Sequence, residues 1–92
     1  MSMKARVEIN VNGLVQGVGY RAFAKRAADR LQIFGLAENM ADGSVRIIAE
    51  GEKENLEEFI KECSNGPSLS QVESISKKWY PYTDEFFNFE YF

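Results

Sequence analysis

Histidine is absent from this 92-residue chain, and cysteine occurs once, at Cys63. Without imidazole there is no Ser-His or Cys-His nucleophilic pair and no unperturbed side chain that titrates near neutral pH. A single cysteine cannot close a disulfide within the chain, and without histidine it cannot build a thiolate zinc site. Excess positive charge is missing too. Lys and Arg number 11 against 14 Asp and Glu, a net charge of −3, and the isoelectric point is near 5.0. That is the wrong sign for a general binder of nucleic acid or of an anionic membrane surface, so any anion must be caught by local geometry. No stretch of apolar residues is long enough to span a bilayer, and the first residues lead straight into an alternating segment without the apolar core of a signal peptide. A cytoplasmic location is therefore expected. Clustered carboxylates that would hold magnesium are also missing, so neither a metal nor another cofactor is expected.

What is present suits one small folded domain over residues 1–92. Apolar residues make up 45% and charged residues 27% of the chain, ordinary values for a globular domain. Residues 4–12 alternate, with Val7, Ile9 and Val11 on one face and Arg6, Glu8 and Asn10 on the other, the period of a half-buried strand. Three glycines then fall within residues 13–19. From Tyr20 to Leu31, Phe23, Ala24, Ala27, Ala28 and Leu31 form one helical stripe. Residues 33–40 and 44–50 read as strands joined by Ala41-Asp42-Gly43, whose Asp-Gly pair favours a hairpin turn. Leu56, Phe59, Ile60 and Cys63 make a second helical stripe, with Glu52 and Glu54 expected in its first turn and Gly66-Pro67 ending it. Residues 72–80 read as a strand, with Lys77-Lys78 on a solvated edge. Residues 86–92 alternate again, which puts Phe87, Phe89 and Tyr91 on one side.

The order strand, helix, strand, strand, helix, strand, with a short C-terminal strand added, predicts an α+β sandwich. The expected form is a ferredoxin-like βαββαβ fold with two helices on one face of an antiparallel four-stranded sheet. The hairpin and the loop before the first helix are expected on neighbouring edges of the sheet.

The glycine loop is the most informative stretch. It stands directly before a helix N-terminus, where unpaired backbone N–H groups and the positive dipole end attract anions. It matches neither the P-loop nor the dinucleotide fingerprint. Arg21 lies in the first helical turn, where a cation opposes the dipole by roughly 0.3 to 1 kcal/mol. Its planar fork of donors suits phosphate oxygens, and its plain structural alternative is to point into water or pair with a carboxylate such as Glu38. Asn39 is a poor strand former near a strand end. Its amide either bonds the adjacent turn or orients a water beside a bound phosphate. Cys63 reads as a buried helix position.

The run Gly13-Leu14-Val15-Gln16-Gly17-Val18-Gly19-Tyr20-Arg21-Ala22-Phe23 closely resembles the signature of acylphosphatases. Gly35-Leu36-Ala37-Glu38-Asn39, with Asp42-Gly43-Ser44-Val45 behind it, resembles the family's second block. Tyr20 stands where the family commonly has phenylalanine, and Leu36-Ala37 replaces a usual Trp-Val pair. The resemblance implies hydrolysis of a carboxyl-phosphate anhydride to a carboxylate and inorganic phosphate, with a small acyl phosphate as partner. Nucleic acid, membrane and a second subunit are not expected. It implies further that Arg21 binds the phosphate with the amides of Val15, Gln16, Gly17, Val18, Gly19 and Tyr20, and that Asn39 holds the attacking water. The alternative reading is a non-catalytic module that binds the anion without turning it over.

Overall fold

The computed structural model describes residues 3–92. Its elements are β1 (Lys4–Leu14), α1 (Tyr20–Arg30), β2 (Phe34–Asn39), β3 (Val45–Glu52), α2 (Lys53–Asn65), β4 (Gln71–Tyr80) and β5 (Phe89–Tyr91). The strands form one sheet in the order β4-β1-β3-β2-β5. β1 pairs antiparallel with both β3 and β4, and β2 pairs antiparallel with β3. The fifth strand runs parallel to β2, through Gly35↔Phe89, Leu36↔Glu90 and Ala37↔Tyr91, so the complete sheet is mixed.

Alternation along the strands decides which face is covered. Val7, Ile9, Val11, Val45, Ile47, Ala49 and Ala37 are buried beneath the two helices. α1 contributes Ala24, Ala27 and Ala28, small side chains that let it lie close to the sheet, and α2 contributes Leu56, Phe59, Ile60 and Cys63. Phe89 of β5 joins them, edge-on to Phe59 at 6.0 Å between ring centroids. Each large apolar side chain so buried contributes about 1.5–3 kcal/mol. The helix-free face carries Arg46 between Glu8 and Glu38, each 3.4 Å away, and exposed Lys77 and Lys78 stand on the edge strand β4.

Several expectations need correction. Glu52 is not in the first turn of α2 but precedes it with extended backbone, because β3 continues to pair Gly51 with Ala5 and Glu52 with Lys4. The C-terminal strand is three residues long rather than seven, and Phe87 is 90% exposed instead of sharing a face with Phe89. The physical reason is topological. The chain leaves β4 on one edge and must cross the ends of β1, β3 and β2 before it can pair on the other edge, and residues 81–88 are spent on that crossing. The hairpin and the glycine loop do meet, but at one end of the sheet and not along its edges, since β1 and β3 are interior strands.

Candidate functional site

Residues 15–19 connect β1 to α1. Val15 is buried and anchors the loop, while Gly17 and Gly19 have φ of 74° and 77°, left-handed values that side chains with a Cβ rarely adopt. A Cβ at either glycine would meet nothing within 4 Å, so conformation and not crowding requires glycine there. Gly19 precedes the first turn of α1, which has no side-chain cap and no acidic residue. Among the described residues no backbone acceptor takes the N–H groups of Gln16, Gly17, Val18 or Gly19. Unpaired donors and the positive end of the helix dipole thus coincide.

A concavity of about 110 Å³ opens at this point, lined by Val15, Gly17, Gly19, Tyr20, Arg21, Ala22 and Tyr91. The Arg21 guanidinium donates to the Phe92 backbone oxygen and lies 5.8 Å from the centroid of the Tyr91 ring. It is not paired with Glu38, which belongs to Arg46 on the opposite face. Among the described residues no Asp or Glu side chain is paired with it, and its contacts are the Phe92 backbone oxygen and the face of the Tyr91 ring.

Asn39 is the last residue of β2, exposed, opposite Val45, and on the same side of the strand as buried Ala37. Phe92 donates its N–H to the Ala37 carbonyl at 3.0 Å. The backbone that receives Arg21 is thus bonded two residues upstream of Asn39. The turn that follows is fixed by others. Asp42 accepts the Ser44 N–H at 2.9 Å and the Ser44 hydroxyl at 2.6 Å, bonds that hold its carboxyl below the usual range. The Gln16 amide nitrogen donates to the Met40 and Ser44 carbonyls at 2.8 and 3.0 Å, tying the glycine loop to the hairpin. The turn-forming role open to Asn39 from sequence is filled by Asp42 and Gln16.

Tyr20 is 1% exposed, and its hydroxyl donates to the Cys63 carbonyl at 2.6 Å, joining the first turn of α1 to the last turns of α2. Burial raises its phenol well above the ordinary value. Burial likewise pushes the Cys63 thiol up to about 12, which removes it as a nucleophile at neutral pH.

A larger cleft, about 430 Å³, lies at the other end of the sheet, where its lining includes Lys4, Phe34, Glu50, Glu52 and Tyr82. With Asp29 it presents three carboxylates against one lysine, which disfavours an anionic guest. No group of three or more His, Cys, Asp or Glu placed to hold a metal ion occurs among the described residues. Among the described residues no helix is long and apolar enough to cross a membrane.

The structure places Arg21, the loop amides and Asn39 at one end of the fold, with Arg21 and the loop lining the concavity and Asn39 outside its lining. Sequence reasoning missed the Gln16 side chain, Tyr91 and Phe92. The amide of Gln16 offered no signal about its side chain, and nothing in the spacing links position 21 to a strand that begins at 89.

Residues 7–91 match the family model described as Acylphosphatase. An acylphosphatase of Thermus thermophilus is 51% identical over 69 residues, which is 75% of this chain and 78% of that protein. The crystal structure of acylphosphatase from Bacillus subtilis superposes with a TM-score of 0.92 at 34% identity, covering 98% of this chain and 99% of that one. Full-length HypF, crystallised in a phosphate- and nucleotide-bound form, gives a TM-score of 0.90 at 30% identity, covering all of this chain and 12% of that one.

Proposed function

The chain belongs to the acylphosphatase family, and from that premise we propose that it hydrolyses acyl phosphates with Arg21 and the amides of Val15, Gln16, Gly17, Val18, Gly19 and Tyr20 binding the phosphoryl group and Asn39 aiming the water. The observation that carries this reading is the coincidence, in one concavity, of unpaired loop amides, a helix N-terminus and an arginine with no Asp or Glu partner among the described residues. An incoming phosphoryl group takes the guanidinium donors that the Phe92 oxygen leaves free, in charge-assisted bonds.

Chemistry of this kind needs no histidine. The leaving group is a carboxylate whose conjugate acid has a pKa of about 4, so it departs without a general acid. Phosphoryl transfer passes through a loose transition state in most analyses, where positioning and charge stabilisation do most of the catalysis. Arg21 and the amides stabilise the charge on the equatorial oxygens. The Asn39 side-chain oxygen can accept a hydrogen bond from the water and so point the water's lone pair at phosphorus, opposite the leaving carboxylate. The water oxygen bonds to phosphorus, the bond from phosphorus to the carboxyl oxygen breaks, and the water's proton goes to a phosphate oxygen.

The substrate in this reading is a small acyl phosphate and the products are a carboxylate and inorganic phosphate, without a metal. The single cysteine, buried and unpaired, accords with a reducing compartment such as the cytoplasm. Release of phosphate from benzoyl phosphate, measured with and without EDTA, tests the activity. Arg21→Ala and Asn39→Ala proteins that remain folded are expected to lose turnover. Undiminished turnover in either removes that residue from its role.

A further inference from the structure

Glu50, on β3, is 3% exposed although it lies on the helix-free face, opposite Arg6 in the strand ladder. Both of its oxygens are engaged. Oε2 accepts the Thr83 N–H at 2.9 Å, the Thr83 hydroxyl at 2.6 Å and the Arg6 guanidinium at 3.3 Å, and Oε1 accepts the Asp84 N–H at 3.0 Å. A cross-strand pair with Arg6 alone would not need a buried carboxylate. Two successive backbone amides captured by one carboxylate indicate that its task is to grip residues 83 and 84. Asp84 has a φ of 59°, unusual for a residue other than glycine, which marks a fixed turn in the segment.

The gripped segment is the crossing between β4 and β5, and Glu50 stands on β3, the middle strand of the sheet. Past this point only residues 85–88 remain before Phe89 enters the core, and two residues later the chain presents Tyr91 and Phe92 to Arg21. β5 is a three-residue edge strand, too short for its ladder alone to fix its place. Arg6, which donates to Glu50, also pairs with the Glu85 carboxylate, so the two side chains together fix residues 83–85 of the crossing, with Glu50 alone holding its backbone amides.

We propose that Glu50 is a positioning residue for the phosphate site: by holding Thr83 and Asp84 it sets where β5 lies, and β5 with the residue after it holds the Arg21 guanidinium through the Tyr91 ring and the Phe92 backbone oxygen. The inference rests on the reading of Arg21 as the phosphate-binding residue. It assigns a catalytic consequence to a carboxylate on the opposite face of the sheet, at the end away from the glycine loop.

Steady-state kinetics with benzoyl phosphate, and inhibition by inorganic phosphate, test it in Glu50→Gln, Thr83→Ala, Tyr91→Ala and the Glu50→Gln/Tyr91→Ala double variant. Glu50→Gln is expected to raise KM and the phosphate inhibition constant by about tenfold, as expected for a misplaced binding group, while kcat changes less. Loss of fold would instead lower apparent kcat at unchanged KM. Thr83 is exposed, so Thr83→Ala should stay folded and shift the same constants in the same direction by a smaller factor. This variant decides the matter if Glu50→Gln does not fold. Because Glu50 acts through β5, the double variant should be no worse than the weaker of its two parents. Wild-type KM in folded Glu50→Gln or in Thr83→Ala, or multiplicative losses in the double variant, would overturn the proposal. Arg21→Ala serves as the control on the parent reading. If it leaves phosphate inhibition intact, Arg21 itself is misassigned; if it abolishes inhibition while the Glu50 and Thr83 variants behave as wild type, only the positioning role fails.

Discussion

Arg21 and Phe92, 71 positions apart, meet where the guanidinium donates to the Phe92 backbone oxygen. An arginine in the first turn of a helix is free to take many rotamers, and this contact, with the Tyr91 ring 5.8 Å away, selects one that borders the glycine loop. The entropy of ordering a long side chain, up to about 2 kcal/mol, is thereby met before a ligand arrives.

Replacement of Arg21 tests the charge and the fork separately. Arg21→Ala is expected to lower kcat/KM by about 10²–10³, the usual consequence of losing one donor to developing negative charge. Arg21→Lys keeps the charge but not the planar pair of donors, so it should recover only part of that loss. Recovery of full activity by lysine would show that a point charge is sufficient.

Gln16 couples the two halves of the site through its bonds to Met40 and Ser44. Gln16→Ala should lose about 1–2 kcal/mol of stability for two hydrogen bonds. It should also lower kcat/KM by about tenfold, because the loop and Asn39 no longer share a frame. Urea unfolding and phosphate-release assays on the same protein separate the effects. A stability loss with unchanged kcat/KM would confine Gln16 to a structural role.

Tyr20→Phe removes the hydroxyl bonded to Cys63 and leaves the ring in place. The lost bond should reduce stability by about 1 kcal/mol, lowering Tm by about 4–8 °C in a domain of this size. Turnover should change little, because in the proposed site it is the amide of Tyr20 that faces the phosphoryl group, while its hydroxyl is engaged with Cys63. A large fall in kcat in the folded variant would assign the hydroxyl a role in the chemistry.

Burial alone would raise the Glu50 carboxyl, but hydrogen bonds from Thr83, Arg6 and Asp84 outweigh it and hold the group below its ordinary value. The native state then binds this proton less readily than the unfolded chain does, so the stabilisation is complete above the ordinary carboxyl range near pH 4.5 and is lost as pH falls through the lower native value. Urea midpoints followed from neutral to acid pH should fall in the wild type. In Glu50→Gln the starting midpoint should be lower and the acid decline shallower. Parallel declines in the two proteins would show that Glu50 does not contribute to the acid limb.

How much was legible in sequence follows from the range of each interaction. β1, the glycine loop and α1 could be read because alternation, glycine spacing and the Ala24, Ala27, Ala28 stripe are local patterns. The Asp-Gly hairpin and its neighbour Asn39 were legible for the same reason. Glu50 was not, since alternation assigned it to the outer face and only the returning segment at Thr83 buries it there. β5 was misjudged in length because Phe86 and Phe87 continue the aromatic run without continuing the ladder. Glu52 has the charge expected of a first-turn residue, yet pairing with Lys4 keeps it in β3.

The most direct test of the phosphate pocket is a titration with inorganic phosphate followed by ¹H–¹⁵N NMR of the wild type and of Arg21→Ala. Saturable shifts should appear at the amides of residues 16–20 and at the Arg21 side chain, and the variant should lose them. Shifts centred on Phe34, Glu50 and Tyr82, or loop shifts that persist without Arg21, would contradict it.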